Sequence, residues 1–157
     1  MARLEAIKGA KIGLDTVVFI YALEGNPEFG NLATQIFAMI EEGSSQGFAC
    51  DLVLAELMVK PLRQGHPEVA EEYAQELPNF PNLSFRPLTR QIVINAARLR
   101  SSSNLGLIDA LHLASAVEAG FDYSPPSALL KGGDSQVVLF PLAGTVKLPL
   151  DAQYVDI

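Results

Sequence analysis

The chain has a single cysteine, Cys50, among 157 residues, so no disulfide can form within it and its composition suits a reducing compartment. Basic residues are also scarce: 11 Lys and Arg stand against 18 Asp and Glu, for a net charge of −7. That balance argues against binding driven by a broad basic surface laid on phosphates. It leaves open a site that recruits cations, because clustered carboxylates raise the acid count and are neutralised when metal binds. No apolar run is long enough to cross a bilayer, and the longest one near the amino end is cut by Asp15. Glu5 and Lys8 precede any apolar stretch, a poor start for a signal peptide. The expectation is a cytoplasmic protein with no membrane partner.

What the chain does have is the composition of a globular domain, 49% hydrophobic and 18% charged. Its length predicts one domain over 1–157 that buries about two-thirds of its unfolded surface. Neither an internal repeat nor a linker is visible. Short apolar runs predict strands at Lys11–Leu14, Phe48–Cys50, Leu83–Phe85 and Gln136–Phe140, with extended backbone starting at Phe121-Asp122-Tyr123. Helical periods predict helices over Asn31–Glu42, from Asp51 as a cap to about Leu62–Gly65, over Glu68–Leu77 behind Pro67, and from Thr89 to Ser101. In the last of these, Ile92, Ile94, Ala96, Ala97 and Leu99 are expected to be partly buried. Val17 to Leu23 is apolar and helix-like. In the stretch from Leu105 to Tyr123, Leu107, Ala110, Leu111, Ala114, Val117 and Ala119 fall close to a 3.6 period, which predicts a helix packed on the core and stopped by Gly120. The tail from Leu142 to Ile157 reads as loop or edge structure. Strands alternating with helices of ten or more residues predict an α/β fold with a mainly parallel sheet.

Three otherwise apolar segments each accept one acid: IGLDTVVFI around Asp15, LVLAELMV around Glu56 and LIDALHLA around Asp109. Asp15 ends the first strand, and open parallel sheets gather ligands at the carboxyl ends of their strands. Glu56 has Leu52, Val53, Val59 and Lys60 as its helical neighbours, so it is expected to face inward. Asp109 opens a helix, whose start lies at the same rim. Three carboxylates at one rim repel one another unless a cation lies between them, and an oxygen-only set suits Mg2+ or Mn2+. Such a site activates water and stabilises charge in phosphodiester cleavage. Each acid also has a plain structural reading: Asp15 as a helix cap, Glu56 as the i+4 partner of Lys60, Asp109 as a complement to the helix dipole. His112, at i+3 from Asp109, reads as a packing residue, with a hydrogen bond near the site as the alternative. Thr16 reads as a cap or as a hydroxyl that holds water at the site. Arg86, Arg90, Arg98 and Arg100 form either a phosphate contact or a solvated face.

Taken together, IGLDTVVFIYALEGNP (Ile12 to Pro27), LVLAELMVKPLRQG (Leu52 to Gly65) and LIDALHLASAVEAGFDY (Leu107 to Tyr123) resemble a PIN-domain protein of the kind found in VapC-type toxins. The Asp-Thr pair, the Ala-Glu-Leu core and the Asp-Ala-Leu-His-Leu-Ala block carry the resemblance. It implies a three-layer α/β/α sandwich around a central parallel sheet and a metal-dependent ribonuclease site cutting RNA. It assigns Asp15, Glu56 and Asp109 as catalytic residues and acidic ligands of Mg2+ or Mn2+. It also implies a homodimer and a small antitoxin protein that blocks the site. One departure stands out: where similar proteins run into a Thr-Asn-Asp-like motif with a fourth acid, this chain has Ser124-Pro125-Pro126-Ser127-Ala128. Asp122 comes too early, and Asp134, after Gly132-Gly133, is the substitute to consider. A competing expectation is therefore a binding module with a degraded site. A receiver-like phosphoacceptor is disfavoured because Leu14-Asp15 lacks an adjacent acid.

Overall fold

Strand β1 (Lys11–Leu14) is the centre of the sheet, flanked on both sides by parallel neighbours. A computed structural model describes residues 8–9, 11–102 and 104–119 with their side chains, and the backbone of 121–124, 129–132, 136–139, 145–147 and 154–156. After β1 come α1 (Thr16–Leu23), α2 (Gly30–Glu41), β2 (Gln46–Cys50), α3 (Leu52–Arg63), α4 (Pro67–Glu76), a 3-10 turn (Leu77–Asn79) and β3 (Leu83–Arg86). Next are α5 (Arg90–Ser101) and α6 (Leu107–Glu118), then β4 (Phe121–Ser124), β5 (Leu129–Gly132), β6 (Gln136–Leu139), β7 (Thr145–Lys147) and β8 (Tyr154–Asp156). Four strands form a parallel sheet in the order β3-β2-β1-β6, with Lys11 level with Gln46 on one side and Gln136 on the other. β4 with β5, and β7 with β8, make two antiparallel ribbons. The tail expected as loop or edge thus contains a ribbon.

Period-2 alternation distributes β2 between two cores. Ala49 faces a cluster built with Ile12, Leu14, Phe19, Ile36, Ile40, Val53 and Leu57, whereas Phe48 points the other way, to Leu113 and Ala116. Helices α1 to α4 therefore cover one face and α6 the other, with α5 packed on α6 through Ile92, Ala96, Ala110 and Ala114. This is the three-layer α/β/α arrangement. Right-handed crossovers account for it: steps from β1 to β2 to β3 run one way and keep their helices on one face, and the return to β6 puts the next helices on the opposite face. The direction reverses at β1, which makes its carboxyl end a topological switch point, where α/β sheets bind ligands.

Local chemistry sets the ends of the elements. Gly43, at φ +82°, ends α2 in the left-handed region, and the Asn82 amide donates to the carbonyls of Ile40 and Glu41 (3.0 and 3.2 Å). Thr89 caps α5 by accepting from Ile92 N at 3.2 Å. Asp51 does not act as the expected side-chain cap of α3; its backbone is already helical, and its N–H donates to Arg86 O across to β3. Two burial expectations also fail at the surface. Leu107 is 53% exposed because the first turn of α6 projects beyond the packed layer, and Ile94 and Ala97 lie on the outer side of α5.

Candidate active site

Asp15 follows β1 directly, in extended backbone (φ −83°, ψ 161°), and serves as the N-cap of α1 by accepting from Val17 N at 3.4 Å. This geometry buries it: Asp15 is 7% exposed and Thr16 is 3% exposed. The plain reading of Asp15 as a cap and its place at the strand end are thus both satisfied by one side chain. Glu56 arrives from α3, half-buried, with its carboxylate turned to the same rim. His112 arrives from α6 on the opposite face of the sheet, with 2% of its side chain exposed.

These three elements meet in a hydrogen-bonded knot. The Thr16 hydroxyl donates to Glu56 Oε1 at 2.5 Å. His112 Nε2 lies 2.8 Å from the same Oε1 and 3.2 Å from Thr16 Oγ1. The single O–H of Thr16 is used in its bond to Glu56, and a carboxylate only accepts, so the arrangement calls for an N–H on Nε2 shared between the two oxygens. Both bonds to Glu56 end on Oε1. His112 is therefore a member of the cluster and not the packing residue expected of it. The signal for this was the one that marked the acids, a polar group inside an apolar run: residues 110–116 are all buried, so a ring there needs a partner. Thr16 is a donor to Glu56 and not the cap of α1, a place taken by Asp15. Lys60 is not paired with Glu56 either; it binds Glu24 at 2.6 Å.

Asp109 stands in the first turn of α6 and is exposed, in contrast to the inward placement of the other two acids. Its charge is nevertheless felt at the rim. Burial is the main influence lifting Asp15 above its ordinary value of 3.8; His112 and the Val17 N–H pull it back, while Asp109 and Glu56 push it further up. For Glu56 burial also works upward, but the bonds from His112 and Thr16 prevail and hold it below 4.5. Among the described residues no three His, Cys, Asp or Glu side chains form a ready metal cage. The donor chemistry nonetheless fits a hard divalent cation: the acids offer only carboxylate oxygens, and the repulsion that Asp15 feels from its neighbours is what such a cation would relieve. Asp134 and residues 125–128, where a fourth acid would be sought, lie outside the described residues. Arg86 is positioned over the Phe48 ring at 5.7 Å, Arg98 donates to Asn95, and Arg100 donates to Leu105 O.

The family model described as the PIN domain matches residues 12–123, from the middle of β1 to β4. The chain belongs to the PIN domain family. Among solved structures, this PIN domain is similar to a chain of a toxin–antitoxin complex from Klebsiella pneumoniae, at 22% identity and a TM-score of 0.50, over 71% of this chain and 80% of that one. It is also similar to a chain of VapBC2 from Rickettsia felis bound to a promoter DNA fragment, at 16% identity and a TM-score of 0.50, over 70% and 80%. At these identities the likeness is one of fold. No curated protein matches it in sequence. Among the described residues no helix is long and apolar enough to cross a membrane.

Proposed function

We propose that this PIN domain is a metal-dependent endoribonuclease that hydrolyses RNA phosphodiester bonds, the toxin of a toxin–antitoxin pair working in the cytoplasm as a homodimer. The observation that carries the reading is the buried carboxylate of Asp15 at the switch point of the sheet, next to Thr16, whose hydroxyl binds the Glu56 carboxylate of α3. Asp15, Glu56 and Asp109 are the residues that would hold Mg2+ or Mn2+, which when bound supplies charge neutralisation and Lewis acidity at a phosphodiester. Thr16 and His112 keep Glu56 in place, and Asp15 is oriented by the Val17 N–H. Asp109, exposed in the first turn of α6, is accessible to a polynucleotide. No protein nucleophile is required, and the Thr16 hydroxyl is already committed to Glu56. An antitoxin beside the site has apolar surface to use: Val59 and Leu62, on the α3 turns after Glu56, are 41% and 51% exposed.

The test is cleavage of RNA with and without EDTA, beside an Asp15→Asn variant that keeps the cap. The expected result is cutting by the wild type with Mn2+ and none in EDTA or in the variant. Metal-independent cutting that survives the substitution sinks the mechanism. A second reading, a binding module that has lost catalysis, draws on the absence of a ready cage among the described residues and on Glu56 being already bonded within the protein. Calorimetric titration with Mn2+ separates the two, since affinity no better than millimolar favours the module.

A further inference from the structure

We infer that His112 and Thr16 are positioning residues that hold Glu56 as a one-oxygen ligand and thereby set the preference of the site for small octahedral cations over Ca2+. The inference rests on the proposed metal-dependent reading of the same site. Its basis is geometric. Two donors from two different elements, one at the start of α1 and one on α6, converge on Oε1 of Glu56 at 2.5 and 2.8 Å. Both donors are buried, whereas a third of the Glu56 side chain is exposed. The carboxylate is thus clamped from the protein side through one oxygen, which leaves Oε2 for a cation.

A carboxylate with one oxygen occupied presents a single lone-pair set to a cation. Mg2+ and Mn2+ accept single-oxygen carboxylates in a compact octahedron completed by water. Ca2+ takes six to eight oxygens and gains from carboxylates that chelate with both. Holding Oε1 therefore costs Ca2+ a contact that Mn2+ does not need. The arrangement reverses the common pattern in which a carboxylate behind a metal-binding histidine orients it; here the histidine orients the carboxylate.

The experiment titrates Mn2+ and Ca2+ separately into the full chain by calorimetry, for the wild type, Thr16→Val, His112→Ala and His112→Gln, with thermal unfolding in EDTA recorded for each. Thr16→Val keeps the buried shape and removes the donor, so it reports even if His112→Ala fails to fold. Glutamine places an amide N–H where Nε2 stood and is the conservative rescue. The expected result is Mn2+ bound more tightly than Ca2+ by the wild type, and Mn2+ affinity reduced by about 10- to 100-fold in Thr16→Val and His112→Ala. Ca2+ affinity falls less, the ratio contracts, and His112→Gln restores it. An unchanged ratio in folded Thr16→Val overturns the inference while leaving the metal-dependent reading intact. Wild-type protein that takes up no Mn2+ overturns both, whereas protein that binds Mn2+ with the expected ratios and cuts no RNA overturns only the nuclease reading.

Discussion

On one face of the sheet the helices pack mainly through large side chains; on the other, alanines share the contacts with them. The first face is organised around Phe19, fully buried and in edge-on contact with Phe37 and Phe85 at 5.0 and 6.0 Å, with Ile36, Ile40 and Leu57 around it. The second combines Ala96, Ala110, Ala114 and Ala116 with Ile92, Leu111 and Leu113, and takes Phe48 from the sheet. Bulky residues bury more apolar area and supply more of the stability. Small ones let backbones approach closely, which is how α6, hydrophobic almost all round, brings His112 within hydrogen-bonding distance of side chains carried by α1 and α3. The contrast teaches a division of labour: one face supports the fold, and the other is packed tightly enough to bring His112 to Glu56 and Thr16.

The largest test of that contrast is Phe19→Ala. Removing a fully buried ring from the aromatic cluster is expected to cost roughly 3–5 kcal/mol, a large share of what a domain this size has to lose. Denaturant unfolding in EDTA measures it, and a loss below about 1 kcal/mol would show that the first face does not support the fold as described. The next test inverts the chemistry on the second face. Ala114→Leu adds bulk where the α5–α6 contact has none to spare, with an expected cost of about 1–3 kcal/mol. RNA cleavage is expected to fall further than that modest destabilisation accounts for, because α6 must shift and carries His112 with it. Full activity in a folded Ala114→Leu protein would break the claim that close packing places the site.

Much of this was legible in the chain. Alternation and helical period marked β1, β2, β3, α2, α4 and α5 to within a residue or two, because their apolar residues follow the geometry of the elements themselves. Val17 to Leu23 was harder to assign, since a helix apolar all round has no period to read. The candidate acids could be picked out as polar exceptions, but their depth could not: Asp109 lies in a first turn that projects to solvent, like Leu107 beside it. Least legible were the contacts of His112, whose partners lie 96 and 56 residues away and are brought together only when both helix layers close on the sheet. Lys60 failed for the same reason, as an i+4 rule sees Glu56 and cannot see Glu24, 36 residues back.

The smallest effect lies where the two faces meet, at the rim shared by Asp15 and Glu56, and it has opposite signs for the two acids. Burial lifts Asp15 above 3.8, so the folded protein holds that proton more tightly than the unfolded chain does. Its favourable contribution is complete below 3.8 and is lost as pH rises through the raised value. Glu56 is held below 4.5 by His112 and Thr16, so its contribution is complete above 4.5 and is lost as pH falls through the lowered value. At pH 7 in EDTA, Asp15→Asn is therefore expected to stabilise the protein by up to about 1 kcal/mol, the exchange of stability for function common at such sites. Glu56→Gln is expected to destabilise it by about 1 kcal/mol, at the low end for bonds to a charged group because a third of the side chain is open to water. Urea midpoints at pH 7 and pH 4 measure both differences, and the gain of Asp15→Asn should shrink as the pH falls. If both variants move the midpoint the same way at pH 7, the rim does not hold one strained carboxylate beside one satisfied one, and the case for a cation-seeking Asp15 loses its electrostatic ground.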